Sequence, residues 1–290
     1  MQKDRTPELL DSFIQDCHYR NLSKKAIEDY KWFLTDAQNR LGNLTDISRD
    51  DIKQLVLERI ESGLSPATVN HYIRIIKIFY SYLEREEIIR ENPMMKLKQL
   101  SVPKRLKPVV DSKHISRLVA MIPDEGFYHI RDRSMILLLW DTAIRLNEIL
   151  TISLENVDLQ FRTIKIIGKG NKERIVPFGN KTKRALQKYL KIRENHSPLL
   201  FCTKEGVQIM RRNFQRTVQR YGKRIGLNIS PHLIRHSAAT FLAKSEMPAQ
   251  HIQILLGHSN LNTTQRYINQ IVNQEGLQIS HRRLSPGDRI

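Results

Sequence analysis

Apolar residues recur at helical spacing through most of the first ninety positions. Leu9, Leu10, Phe13 and Ile14 follow Thr6-Pro7, an N-cap residue with proline at the first helical position, and predict a helix from Pro7 to about Tyr19. Ser23 opens a second helix with Ala26, Tyr30, Phe33 and Leu34 on one face. Asp46 or Ser48 starts a third (Ile52, Leu55, Val56, Ile60), which Gly63 stops. Ser65-Pro66 begins a fourth that carries Val69, Tyr72, Ile73, Ile76, Phe79, Tyr80 and Leu83. Residues 1–92 therefore read as a small all-helical domain.

The periodicity fades between Asn92-Pro93 and Lys107-Pro108, a stretch that mixes prolines with basic residues. Residues 93–108 read as an extended, semi-rigid linker. Beyond it, Asp111 or Ser112 caps a helix with Ile115, Leu118 and Val119, and His129 to Ala143 is apolar on almost every face, as a central buried helix would be. Glu155 to Phe178 changes period: Val157, Leu159, Ile164, Ile166, Ile167, Ile175 and Val176 predict short strands, with Gly168-Lys169-Gly170-Asn171 as the turn of a β-hairpin. Helices follow at Lys181–Arg193, Arg211–Gly222 and from Pro231 to about Asn273. The expected fold is mainly α with a small antiparallel β-sheet, in two domains, the second covering 109–290. No internal repeat or low-complexity tract is visible.

Composition narrows the classes of function. A length of 290 residues exceeds what one compact core usually holds, and 40% hydrophobic with 27% charged residues is an ordinary globular balance. The longest apolar run, Met135 to Trp140, is far short of the ~18 residues a membrane helix needs, and the N-terminus is polar, so a cytoplasmic protein without membrane attachment is expected. Cys17 and Cys202 are too few for a disulfide framework or a cysteine zinc site. Charge is the outlying property: the formal net charge is +18, of which residues 1–105 carry +2 and the rest +16. Such a surface attracts a polyphosphate by counterion release.

Five local patterns in the basic region could carry chemistry: TAIRLNEI (142–149), GKGNKER (168–174), PHLIRHSAAT (231–240), LLGHSN (255–260) and Tyr267 in QRYI. Singly each has a bland explanation, such as a helix cap, a solvated turn or a core histidine. His232 and His236 at i, i+4 suggest half a zinc site, but no carboxylate lies between them and Arg235 would oppose a dication. Gly168-Lys169-Gly170 lacks the spacing and the following helix of an ATP-binding loop. His232 and Arg235, three apart, would share a helical face suited to a phosphate.

Together and in this order, an arginine, GKGxKxR, HxxRH, LGH and a tyrosine nine residues later, the patterns resemble the tyrosine recombinase/integrase family, especially its Xer-type site-specific recombinases. The resemblance covers nearly the whole chain. One departure is Ala143-Ile144, where the family commonly carries Gly-Leu.

The resemblance implies a site-specific DNA recombinase that needs neither metal nor cofactor. Tyr267 would attack the scissile phosphodiester to give a 3′-phosphotyrosine, and strands would exchange through a Holliday junction. Arg145 and Arg235 would hold the phosphate, Lys169 would protonate the leaving oxygen, His232 would manage the nucleophile's proton and His258 would hydrogen-bond the phosphate. Glu148 and His236 would support them. Lys24, Lys25, Arg74 and Lys77 on the bundle, Lys104 and Arg105 in the linker, and Lys172 and Arg174 in the hairpin are candidate DNA contacts. The partner is a double-stranded recombination site clasped between the domains, bound by a homotetramer or with a paralogous recombinase, and the segment after Tyr267 would dock on the neighbouring protomer. A type IB topoisomerase and a catalytically silent DNA-binding regulator are the rival readings; the compact length disfavours the first and the intact residue set the second.

Overall fold

The computed structural model describes residues 6–102, 108–168 and 173–257. The chain divides into two compact units, residues 1–105 and 106–290.

The first unit is built from α1 (Thr6–Tyr19), α2 (Lys24–Leu41), α3 (Arg49–Glu61) and α4 (Pro66–Arg85). Local chemistry places three of the starts. Ser23, Ser48 and Ser65 each sit in extended backbone and accept from the N–H three residues on; Asp51 reciprocates at α3, and Pro66 fills the first turn of α4. Thr6 does something else. Its hydroxyl donates to Asn43 Oδ1 (3.0 Å) and accepts from Leu44 N–H (2.9 Å), tying α1 to the α2–α3 connection. The apolar faces meet around Phe13, whose ring lies 5.4 Å from Phe79 and 5.2 Å from Tyr82. Asp36 accepts from Arg40, Arg59 and the Tyr72 hydroxyl, a polar pin that joins α2, α3 and α4.

The second unit is organised on α6 (Phe127–Thr142), which buries Ile130, Met135, Ile136, Leu138 and Leu139. It starts two residues earlier than the pattern suggests, where Gly126 takes a positive φ. α5 (Ser112–Met121), capped by Asp111, packs beside it. A five-residue helix, α7 (Leu146–Leu150), leads to β1 (Val157–Asp158), β2 (Thr163–Ile167) and β3 (Glu173–Pro177), an antiparallel sheet in the order β1-β2-β3. Ile164, Ile166 and Val176 fill its inner face. Four more helices complete the described unit: α8 (Asn180–Ile192), α9 (Arg211–Arg224), α10 (Pro231–Lys244) and α11 (Ala249–Leu256). At Gly222, within α9, a Cβ would come 2.8 Å from the Leu227 carbonyl, so only glycine lets the chain double back this tightly toward α10.

α8 begins at Gly179, which has no side chain to cap it. Asp141 of α6 ties this start down from outside the helix: its Oδ2 accepts from Gly179 N–H (2.5 Å) and the Thr182 hydroxyl (2.7 Å). Replacing Asp141 by Ala strands both donors and is expected to cost about 1–2 kcal/mol. Denaturant unfolding checks this as a lower midpoint at unchanged slope; an unmoved midpoint refutes it.

Candidate active site

α6 ends in a turn whose geometry follows from one residue. Ala143 lies in the left-handed region (φ 49°, ψ 26°), wholly buried beside Ala238, Ala239, Ile252 and Leu256. This is the position where the resembling family commonly has glycine, and the backbone shows why. A Cβ there costs about 1–2 kcal/mol, and alanine is the smallest side chain that carries one. The turn aims the Ala143 carbonyl at α10, where it accepts from Arg235 Nη1 at 2.6 Å.

Arg145 follows in extended backbone at the start of α7. Glu148, three residues on, reaches back to the Arg145 N–H (Oε2, 2.8 Å) and to its guanidinium (Oε1 to Nη1, 3.0 Å). The same carboxylate takes a two-pronged pair from Arg174 of β3, with Nη1 to Oε1 at 3.0 Å and Nη2 to Oε2 at 2.7 Å. The Arg174 and Glu148 side chains are only 9% and 7% exposed, whereas Arg145 is 42% exposed. Burial pushes the Glu148 carboxyl up, but Arg174 and the Arg145 backbone N–H outweigh it, and the group sits below its ordinary value of 4.5. Two guanidinium groups share one carboxylate, so the trio keeps a positive charge.

The C-terminal end of α11 gathers these arginines. Its last carbonyls lack helical donors and lie at the negative end of the helix dipole. Leu255 O accepts from Arg174 Nε (3.1 Å), Leu256 O from Arg235 Nη2 (2.9 Å) and Gly257 O from Arg145 Nη2 (3.1 Å). Three consecutive carbonyls thus hold three guanidinium groups from β3, α10 and the α6–α7 turn. Gly257 is also left-handed (φ 60°), and a Cβ on it would stand 2.9 Å from Arg174 Cζ. The glycine of the LGH pattern makes room for an arginine.

The structure therefore brings Arg145, Glu148 and Arg235 together, and Arg174 with them. Arg174, expected among the DNA contacts, instead turns inward, because alternation along β3 puts positions 174 and 176 on the core face. His232 is exposed on the first turn of α10 while Arg235 is 5% exposed, so their three-residue spacing does not give them equal access. His236 is buried in α10, and its carbonyl accepts from the Thr240 hydroxyl (2.9 Å). Lys24 and Arg74 are exposed and Lys77 is half-buried; Lys25 is exposed with its ammonium on Asp29 (2.6 Å). Lys104, Arg105, Lys169, Lys172, His258 and Tyr267 lie outside the described residues.

One basic surface went unread in the sequence. α9 exposes Arg211, Arg212, Arg216, Arg220, Lys223 and Arg224 and contains no acidic residue, while Phe214, Val218 and Tyr221 face the core. The four-residue spacing of Arg212, Arg216 and Arg220 would have marked this stripe. Among the described residues no cluster of histidine, cysteine or carboxylate could hold a metal ion, and no helix is long and apolar enough to cross a membrane.

Residues 108–274 match the phage integrase family, and residues 9–90 match the N-terminal SAM-like domain of phage integrases. The chain is 32% identical over 258 residues to tyrosine recombinase XerC of Shewanella sp. (strain W3-18-1), covering 86% of this chain and 84% of that one. It is 31% identical over 236 residues to XerC of Actinobacillus pleuropneumoniae serotype 7 (strain AP76), covering 80% and 77%. Among solved structures, its fold is similar to that of the Tn1549 transposon integrase in complex with transposon right end DNA. The TM-score is 0.80 at 20% identity, covering 97% of this chain and 99% of that one. The XerH recombinase bound to a palindromic difH substrate gives a TM-score of 0.75 at 23% identity, with 93% and 82% covered.

Glu148→Gln removes the charge that Arg145 and Arg174 share and is expected to cost about 3 kcal/mol near neutral pH. Because the folded carboxyl titrates below its ordinary value, its contribution is complete above 4.5 and is lost as pH falls through the folded value. The stability gap between wild type and variant should therefore narrow in acid. Denaturant titrations on either side of the carboxylate range measure it; a constant gap refutes the assignment.

Proposed function

The chain belongs to the phage integrase family and is a Xer-like tyrosine recombinase, a site-specific DNA recombinase; on that footing we propose that Tyr267 is its nucleophile and that Arg145 and Arg235 hold the scissile phosphate. The observation that carries the reading is the end of α11. Its three carbonyls set guanidinium groups from three elements side by side, immediately before His258, which Tyr267 follows nine residues later.

A phenol with a pKa near 10 is a poor nucleophile at neutral pH, so its proton must be taken as it attacks. In the proposed step the Tyr267 oxygen bonds to phosphorus while the bond from phosphorus to the 5′-oxygen breaks. The phenol proton passes to His232, exposed on the first turn of α10. The Lys169 ammonium gives a proton to the departing oxygen, leaving a 5′-hydroxyl and a 3′-phosphotyrosine. Arg145 and Arg235 neutralise the charge that builds on the nonbridging oxygens, with His258 as a further donor. Tethered to carbonyls beforehand, the arginines need little reorganisation as that charge develops. The ester bond is conserved in the intermediate, so a 5′-hydroxyl from the partner strand reverses the step without ATP. Two such exchanges pass through a Holliday junction.

Double-stranded DNA is the partner, and the charge distribution supports where it lies. The exposed stripe on α9 is the strongest candidate contact, with Lys24, Lys25, Arg74 and Lys77 of the bundle, Lys104 and Arg105 of the linker, and Lys172 adding phosphate contacts; Lys25 exchanges Asp29 for a phosphate. We place the reaction in the cytoplasm, in a tetramer formed by this chain or shared with a paralogue, with the amphipathic segment after Tyr267 (Ile268, Ile271, Val272) docking on the next protomer.

A nicked suicide substrate tests the chemistry. Wild type should accumulate a denaturation-resistant protein–DNA adduct and Tyr267→Phe none; an adduct in the variant, or none in wild type while strands exchange, overturns the proposal. The contact surface is read from salt. Each of Arg212, Arg216 and Arg220 that meets a phosphate lowers the slope of log K against log salt by about 1 when changed to Ala. A triple variant with an unchanged slope removes α9 from the interface.

A further inference from the structure

We propose that Arg174 is a positioning residue for the reaction: it ties the β2–β3 hairpin, and with it Lys169, to the carboxylate that also orients Arg145. The inference rests on the reading of Lys169 as the general acid.

The hairpin's ladder ends, among the described residues, at Ile167 and Glu173. Lys169 lies in the connection between them. Arg174 is the residue next to this last rung, paired across the ladder with Ile166 on the sheet's inner face. Every neighbour on that face is apolar: Ile164, Ile166 and Val176 are at most 2% exposed. A guanidinium among them would be costly without a partner, so its place there is set by what it reaches. It reaches both Glu148 oxygens and the Leu255 carbonyl, three bonds to two other elements. Among the described residues Glu173, beside it, bonds across the sheet to Lys165 (3.1 Å) and to nothing outside the hairpin. Among the described residues Arg174 is thus the side-chain anchor nearest the connection. Through Glu148 it shares a carboxylate with Arg145, so the placement of the acid and of the phosphate clamp depends on one ion pair. A planar fork suits this role, because two parallel hydrogen bonds fix orientation as well as distance, which an ammonium does not.

The test uses the full-length protein and two suicide substrates of the same sequence, one natural and one with sulfur replacing the departing 5′-oxygen. A thiolate leaves without a proton, so a defect confined to the general acid disappears on the sulfur substrate. Arg174→Lys keeps the charge and loses the fork. We expect adduct formation about 10- to 100-fold slower than wild type on oxygen, within about 3-fold of wild type on sulfur, and unchanged DNA binding. Arg145→Lys, which damages the clamp, should stay slow on both. Lys169→Ala sets the reference: slow on both substrates, it ends the reading of Lys169 as the acid and this inference with it. If Lys169→Ala is rescued by sulfur while Arg174→Lys is equally slow on both, or is not slowed at all, the inference alone fails. Should Arg174→Lys not fold, Gly257→Ala replaces it. The added Cβ crowds the same guanidinium without removing a charge, and the ratio of sulfur to oxygen rates decides in the same way.

Discussion

Three neighbouring carbonyls at the end of α11, each taken by a different arginine, are the contact on which the catalytic unit depends. A helix C-terminus is short of donors by construction, and a guanidinium has five N–H groups in a fixed fork. Bringing them together satisfies the helix end and fixes the arginines at once. The dipole adds a modest attraction, on the order of 0.3–1 kcal/mol per charge. The larger effect is geometric: Arg145 and Arg235 come from positions ninety residues apart in the chain, and their guanidinium groups converge because consecutive carbonyls do.

The arginines of this unit fall into two physical kinds. Arg235 is buried and Arg174 half-buried, with their donors aimed at named oxygens, and they shape the site. Those of α9 are exposed along one face and add to a long-range field that salt screens. Net charge alone does not separate them. Of the +16 carried after residue 105, part is held by internal partners and only the remainder is presented to solvent.

What could be read from the sequence was what depends on near neighbours. Ser23, Ser48, Ser65 and Asp111 cap helices through atoms three residues away, and a pattern reader sees both ends of each bond. Thr6 looks the same in one dimension, but its partners are Asn43 and Leu44, and nothing local announces them. The tie from Asp141 to the start of α8 is illegible for the same reason. The order of the sequence patterns carried the family, and Glu148, expected to support an arginine, pairs with two. The flanks of Arg174, Gly-rich and basic, suggest a solvated turn, while strand parity with Val176 is the signal that turns it inward. The spacing of His232 and Arg235 gave their direction around α10 but not their depth, since depth is set by how α10 lies against the α6–α7 turn. Ala143 shows the converse. The departure from the family's glycine is visible in the sequence, but not that Ala143 takes a left-handed backbone, which the Arg235 bond and the surrounding alanines accompany.

α11 is only eight residues long, too short to persist alone in water, where isolated helices need roughly 12–15 residues. Its persistence depends on the packing of Ile252, Leu255 and Leu256 and on the arginines that fill its open carbonyls. Arg145 and Arg174 already share Glu148, but it is α11 that adds Arg235 to them. A chain in which α11 has melted therefore lacks the assembled cluster, and with it the arrangement that would meet a phosphate.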